Sequence, residues 1–494
     1  VPQKHLANRK LNYARGKTLG GSSNINFCCW TRGSKDDFDE WARVVGDDRF
    51  NWENAERRFK KLEGFSPVTN ESHKEFANWK AEAHGTDGPV KISDSAEWEN
   101  NQKDVLIAGY ENGWEKNLDV NSGNPLGMAV CPSTGVRGLR TTAKTAYLMH
   151  APENLVIITD AAASKILFEG KKAVGVTAGG KDYFATKELI LSAGALDSPK
   201  LLMLSGIGPQ AELDKHNIPV RANLPVGLGL QDHLHFPQIV EIEEGTNLRA
   251  KWSTPDAIAA ASEQVALDGT GPLSIMYNSC AIGFAKGSSS LYQSKEFKDL
   301  PEDIQAYIKK PTVPTYEVIS VIPTAPVPGV EPGKTYQAVS TFGMVPQSRG
   351  TVTLQSADPA DPPVSDPNFF SHPFDRKALI DGVRQSYKWL HNPRASPTII
   401  KPIAIPKSLS DEDIADFIAN YGVSTWHMSC SAKMGKPNDP TAVLTTDFKV
   451  KGFAGLRVVD LSAIPFVPNA HTVSTAYLVG ETGAEFLSEE HSLN

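Results

Sequence analysis

The run Leu189-Ile190-Leu191 is continuously apolar and opens directly into Ser192-Ala193-Gly194-Ala195. A strand with no polar face is buried between layers, and one that runs out into small residues delivers backbone to a ligand at its carboxyl end. Asp197 then reads as the cap of a short helix, Ser198 to Leu204, closed by Gly206 and Gly208. The tail of the chain returns to the same texture. Gly455-Leu456-Arg457-Val458-Val459-Asp460 is a strand ending in an acid, followed by a small-residue loop and a final helix from Ser474 to Leu487. The expected fold class is α/β.

Between these runs the patterning changes several times. Trp52, Ala55, Phe59 and Leu62 have helical spacing. Residues 65–105 are polar and carry His, Ser, Asn and Gly, which predicts an excursion over the surface, a lid above a pocket or a plain insertion. From Asn154 two hairpins are signalled by Glu169-Gly170-Lys171 and Gly179-Gly180-Lys181-Asp182, with Val156 opening the first. Residues 236–425 mix strands and helices with many prolines; STFGMVPQSRGTVTLQ alternates like sheet, and a helix is entered at Pro373 and Asp375. This part is expected to build a large sheet that forms a cavity.

At 494 residues, two or three domains are the natural prior. A net charge of −7 argues against a nucleic-acid binder, and no apolar run approaches the length of a membrane span. The five cysteines, Cys28, Cys29, Cys131, Cys280 and Cys430, show no CxxC and no Cys/His spacing typical of zinc, so neither a metal nor a disulfide scaffold is expected. Asn70-Glu71-Ser72 is a glycosylation sequon of the kind chance supplies. The chain starts VPQKHLANRK, without an initiator Met or a signal-peptide core, and leaves the compartment open, secreted or intracellular.

The search for chemistry is first a process of exclusion. The one near match to G-x-G-x-x-G, Gly206-Ile207-Gly208-Pro209-Gln210-Ala211, follows a helical segment, and Pro209 removes an amide that a phosphate needs. It reads as a helix stop. His233 and His235 would point to one side of a strand, with no carboxylate cluster to complete a metal shell, so they read as structural or hydrogen-bonding histidines. No G-x-S-x-G elbow occurs, and Cys430 has no identifiable partner. His427, in STWHMSCSAKMG, and His471, in FVPNAHTVSTAY, stand apart because they bracket the Leu456–Asp460 strand and can converge at its carboxyl end. A neutral imidazole suits abstraction of a hydroxyl proton. The segment ARGKTLGGSSNINFCCWTRG (14–33) allows close approach of backbone to a flat or charged group.

Together, GKTLGGSSNINFCCWTRGSKDDFD (16–39), GALDSPKLLMLSGIG (194–208), LPVGLGLQDHL (224–234) and GLRVVDLSAIPFVPNAHTVSTAY (455–477) resemble, in order, the motifs of the glucose–methanol–choline (GMC) flavin oxidoreductases. The resemblance runs from about residue 12 to the end and implies FAD, a doubly wound flavin domain and a substrate domain with a large, mostly antiparallel sheet and flanking helices. It divides the chain into 1–64, 131–235 and 426–494 for the flavin domain, 65–130 as an excursion or lid, and 236–425 for the substrate domain. It places Leu19, Gly20, Gly21, Ser22, Asn24, Asn26 and Phe27 along the flavin, with Asn26 beside the isoalloxazine. Val156 falls near the adenine, Asp460 and Leu461 near the pyrophosphate and ribityl chain, and Thr472 and Val473 on the cofactor. Some members carry a flavin-linked His at the position of Ile25; isoleucine cannot form that bond, so dissociable FAD is expected.

His427 matches the catalytic histidine and His471 its partner. The implied reaction is oxidation of a primary alcohol, aryl alcohols included, with oxygen or quinone as electron acceptor; a non-redox lyase or cyclase and an inactive truncated family member are the alternatives. The family normally opens with a strand, G-x-G-x-x-G, a helix and an acidic residue, in a unit of about 30 residues. This sequence shows none of it. The flavin domain is therefore expected to be N-terminally incomplete, either because the chain is a fragment or because the native protein lacks the unit, with weakened FAD affinity in the chain as written.

Overall fold

The computed structural model describes every residue except 68–70, 95–97, 137, 248–253, 276–279, 322–326 and 494. Asn70 of the sequon lies outside the described residues. The elements that position the site are helices α1 (Lys35–Val45), α2 (Trp52–Leu62), α3 (Gly194–Leu204), α4 (Pro373–Leu390) and α5 (Val473–His491). The strands are β1 (Gly127–Val130), β2 (Ala163–Glu169), β3 (Lys172–Ala178), β4 (Lys181–Phe184), β5 (Leu189–Leu191) and β6 (Leu234–Ile242). They continue with β7 (Ala281–Ala285), β8 (Tyr316–Val321), β9 (Tyr336–Gly343), β10 (Ile399–Ala404), β11 (Val423–Ser424) and β12 (Leu456–Val458).

A seven-stranded antiparallel sheet runs in the order β10-β6-β9-β8-β7-β1, with β11 also pairing with β6. Its central strand β9 is buried along nearly all its length because α4 covers it. Pro373 supplies the preset φ of a first helical turn, and the His372 side chain accepts from Phe374 N to cap it. The large sheet was legible in the alternation of STFGMVPQ.

The second layer is mixed α/β. β5 and β12 pair in parallel, Leu189 opposite Leu456, and α3 and α5 pack near their carboxyl ends. The hairpins β2-β3 and β3-β4 turn at the two glycine signals. An aromatic core of Trp30, Phe38, Trp41, Phe50, Phe59, Phe448 and Phe486 ties α1 and α2 to α5. The helical spacing of Trp52, Ala55, Phe59 and Leu62 is the buried stripe of α2, although Trp52 itself is only half-buried.

Three local readings are corrected. The helix after β5 begins at Gly194, so Asp197 lies inside its first turn and does not cap it. Gly194 N donates instead to Asp460 Oδ2 at 2.9 Å, and Ala193 N to Ser198 Oγ at 3.0 Å: the cap is a tertiary one. Asp197 pairs with Arg15, Nε to Oδ2, at 2.5 Å. Val156 does not open the first hairpin; β2 starts at Ala163, beyond a left-handed Asp160, and Val156 is 78% exposed in a segment paired with no strand among the described residues. The final helix extends through His491.

The polar segment after residue 65 is less superficial than its composition suggests. Phe65, Phe76, Val90 and Ile92 are buried. Beneath them Arg32 forks onto Glu63, with Nε 2.8 Å from Oε1 and an Nη2 bond to Oε2, and Trp30 Nε1 donates to the same carboxylate at 2.7 Å. His84 Nδ1 meets Glu63 Oε2 at 2.9 Å. Burial opposes the Glu63 charge, but Arg32 and His84 overcome it and hold the carboxyl down to about 2.

Candidate active site

The turn at Gly20 and Gly21 adopts left-handed φ values of 97° and 55°, a conformation in which a Cβ is strained. Its polar side chains hold the turn itself. Asn24 Nδ2 donates to Leu19 O at 2.7 Å, Ser22 Oγ accepts from Gly16 N at 3.0 Å, and Ser23 Oγ donates to Gly20 O at 2.5 Å. The outer face is open: a Cβ built on Gly21 meets nothing within 4 Å. Leu19, Ile25 and Phe27 are exposed along this face. Asn26 is clamped by Arg140, whose Nη1 donates to the side-chain oxygen at 2.6 Å and to the carbonyl at 2.7 Å. No spacing in the sequence singles out Arg140.

The two histidine loops converge on this segment. The rings of His427 and His471 stand 5.2 Å apart, edge to face. Phe27 and Trp426 approach to 6.1 Å between centroids, joining the glycine-rich segment to the His427 loop. His471 N donates to Thr31 Oγ1 at 2.8 Å, and Ser474 Oγ to Thr31 O at 2.6 Å, joining the same segment to the tail. Trp426 sits at φ 58°, a left-handed value that costs a non-glycine residue of order 1–3 kcal/mol. It is held by its N–H bond to Ser424 Oγ at 2.8 Å.

Three residues outside the two-histidine expectation complete the cluster. His233 and His427 share a contact between their Nδ1 atoms at 2.9 Å, with centroids also 5.2 Å apart. One of those nitrogens carries hydrogen and the other accepts it. Burial first, then the neighbouring imidazoles, pushes both pKa values down, His233 to about 3, so the pair is neutral. Asp232 Oδ1 accepts from His427 N at 2.8 Å and Oδ2 from Ser424 Oγ at 2.5 Å. Burial raises this carboxyl to about 7 against those hydrogen bonds. Glu317, on β8, bonds His471 Nε2 through Oε1 at 2.9 Å. Burial works against charge on His471, but Glu317 prevails and the pKa is raised. His235 stays apart from the pair, bonded to Thr425 Oγ1 at 3.2 Å and stacked on Phe342. Both expected hydrogen-bonding histidines thus have partners, and one partner is His427.

At the carboxyl end of the parallel pair, Asp460 also accepts from Ser198 Oγ at 2.5 Å and from Ser462 N at 2.8 Å, so both its oxygens are engaged within the protein. Leu461 O accepts from Cys430 N at 3.0 Å, and Cys430 Sγ donates to Gln231 Oε1 at 3.4 Å. Thr472 and Val473 open α5 immediately after His471, and the Thr472 side chain makes no cap bond to its first-turn amides. Gly194, at φ 86°, likewise borders open space. Val156 is remote in character from these groups: no contact in the cluster involves it among the described residues.

Residues 4–235 and 346–480 match the two family models described as GMC oxidoreductase. An alcohol dehydrogenase [acceptor] of Pseudomonas putida is 33% identical over 503 residues, covering 99% of this chain and 84% of the relative. Versicolorin B synthase of Aspergillus parasiticus is 32% identical over 502 residues, covering 97% and 76%. Among solved structures, an FAD-dependent oxidoreductase from Chaetomium thermophilum superposes with a TM-score of 0.85 at 26% identity, covering 100% of this chain and 90% of that one. Among the described residues no helix is long and apolar enough to cross a membrane.

Proposed function

Because the chain belongs to the GMC oxidoreductase family, we propose that it oxidises a primary, aromatic-bearing alcohol to an aldehyde with dissociable FAD as its cofactor. The observation that carries this reading is the meeting of His427 and His471, whose loops are joined through Trp426 and Thr31 to the segment that carries the open glycine turn. The residues fit the cofactor: the open face at Gly21 is a cradle that a side chain would narrow, Leu19, Ile25 and Phe27 offer apolar surface, and the first-turn amides of α5, which Thr472 does not cap, offer donors. Leu19, Gly20, Gly21, Ser22, Asn24, Asn26, Phe27, Asp460, Leu461, Thr472 and Val473 would hold it, with segments 1–64, 131–235 and 426–494 forming its domain and 236–425 the substrate domain. FAD, when bound, supplies the hydride acceptor.

The protein's own part is proton management. With hydrogen on His427 Nδ1 donated to His233 Nδ1, His427 Nε2 keeps its lone pair and accepts the alcohol proton. Asp232 fixes the backbone of His427. His471, whose protonated form Glu317 favours, orients the substrate oxygen and stabilises negative charge as it develops there. Phe27 and Trp426 supply an aromatic wall, and the P. putida relative supports an alcohol donor.

Anaerobic addition of aryl and aliphatic primary alcohols to the FAD-loaded protein tests the reading. Bleaching of the flavin absorbance is expected, fastest with aryl alcohols. A loaded protein that stays yellow across the panel rejects it and favours the non-redox lyase or cyclase alternative, in which the same imidazoles exchange protons alone.

A further inference from the structure

Three cysteines that lie far apart in sequence meet behind the histidine site. Cys131 follows β1 and Cys280 precedes β7, and the antiparallel pairing of those strands sets them opposite each other, with Cys131 N donating to Cys280 O at 3.1 Å. Cys29 runs alongside, bridged to Ser133, while Trp30 N donates to Pro132 O at 2.8 Å. The three Sγ atoms lie within 4.8 Å of one another. No disulfide joins them. Cys29 and Cys131 are buried, and Cys280 is partly exposed, which gives a path from solvent.

We propose that Cys29, Cys131 and Cys280 form a three-thiolate binding site for a soft, thiophilic d10 cation. Thiolates select such ions over hard ones. Sulfurs placed trigonally at about 2.3 Å from one ion stand about 4 Å apart, so a small contraction of the present triangle suffices. Binding a divalent ion exchanges three S–H protons for three metal–sulfur bonds, leaves a site with net charge −1 and releases three protons; affinity therefore rises with pH. The walls are apolar, from Val120, Ala129, Ile282 and Phe284. Glu317 acts electrostatically on Cys29, and Cys280 on His471, so the site adjoins the proton machinery while its existence does not depend on the redox reading.

The test is titration of the reduced protein with Cd(II), following the ultraviolet thiolate-to-metal band and the cadmium coordination by X-ray absorption. One equivalent bound through three sulfurs is expected. Cys280→Ser is expected to weaken binding at least ~10-fold, whereas Cys430→Ser leaves it unchanged. Absence of the band, fewer than three sulfurs around cadmium in the wild type, or equal affinity in Cys280→Ser overturns the proposal. The sulfur count on the wild type decides the matter even where a serine variant fails to fold.

Discussion

Glu317 is replaced by Gln, which keeps shape and hydrogen bonding but removes the charge opposite His471. The contact being altered is a buried imidazole–carboxylate bond of 2.9 Å. A hydrogen bond to a charged group contributes about 1.5–3 kcal/mol, and removing that charge takes away what holds the His471 pKa up, so the His471 pKa is expected to fall. The native pKa is raised, so the His471 proton is present at low pH and lost as pH rises through that raised value. In E317Q the loss comes at lower pH. Stopped-flow flavin reduction by a saturating alcohol, measured from acid to alkaline pH, should show its high-pH limb displaced to lower pH in E317Q. Thermal unfolding offers an independent readout: the pair stabilises the wild type fully below the unfolded histidine pKa, near 6.5, and that stabilisation fades as pH rises past the folded value. The advantage of wild type over E317Q should follow the same course. A high-pH limb that stays in place, or moves upward, refutes the assignment of the His471 proton to Glu317.

Four further outcomes are expected. His427→Ala should slow flavin reduction by at least ~10²-fold, since it removes the proton acceptor; near wild-type reduction in a stopped-flow trace contradicts that role. His233→Asn, whose carbonyl oxygen can take the place of Nδ1, should retain most of the rate, while His233→Leu should lose ~10-fold or more; equal rates for the two would show that His233 only fills space. Arg32→Met should cost about 3–5 kcal/mol in urea unfolding because it leaves the Glu63 carboxylate buried without its main partner, and adding Glu63→Leu should recover much of the loss. Acid precipitation of the loaded protein should release yellow flavin to the supernatant, as Ile25 implies; colour retained in the pellet would point to a covalent link through another side chain.

The parts of the site that could be read in sequence are those whose chemistry is local. Gly20 and Gly21 announce a left-handed turn by being glycine, and His427 and His471 stand out because each sits in a loop of small residues flanking one strand. The parts that escaped are set by register between distant strands. Glu317 is an ordinary acid in TYEVISV until β8 is paired with β7 and β9, which puts Phe284 and Phe342 opposite it and turns its side chain toward His471. His233 was read as hydrogen-bonding, but its partner emerges only when β6 pairs with β11, bringing the Ser424–His427 loop alongside. The misread cap has the same origin. Asp197 is the residue that local rules choose, yet Asp460, carried in by the parallel pairing of β5 with β12, reaches Gly194 first and starts the helix four residues early. Val156 shows the converse: an apolar run specifies a strand only where a neighbour completes its hydrogen bonds, and residues 155–158 have no such neighbour among the described residues. The candidate histidines are thus marked locally in this chain, whereas their hydrogen-bond partners are set by strand pairing, which is why changing Glu317 or His233 tests the fold and the proposed chemistry at once.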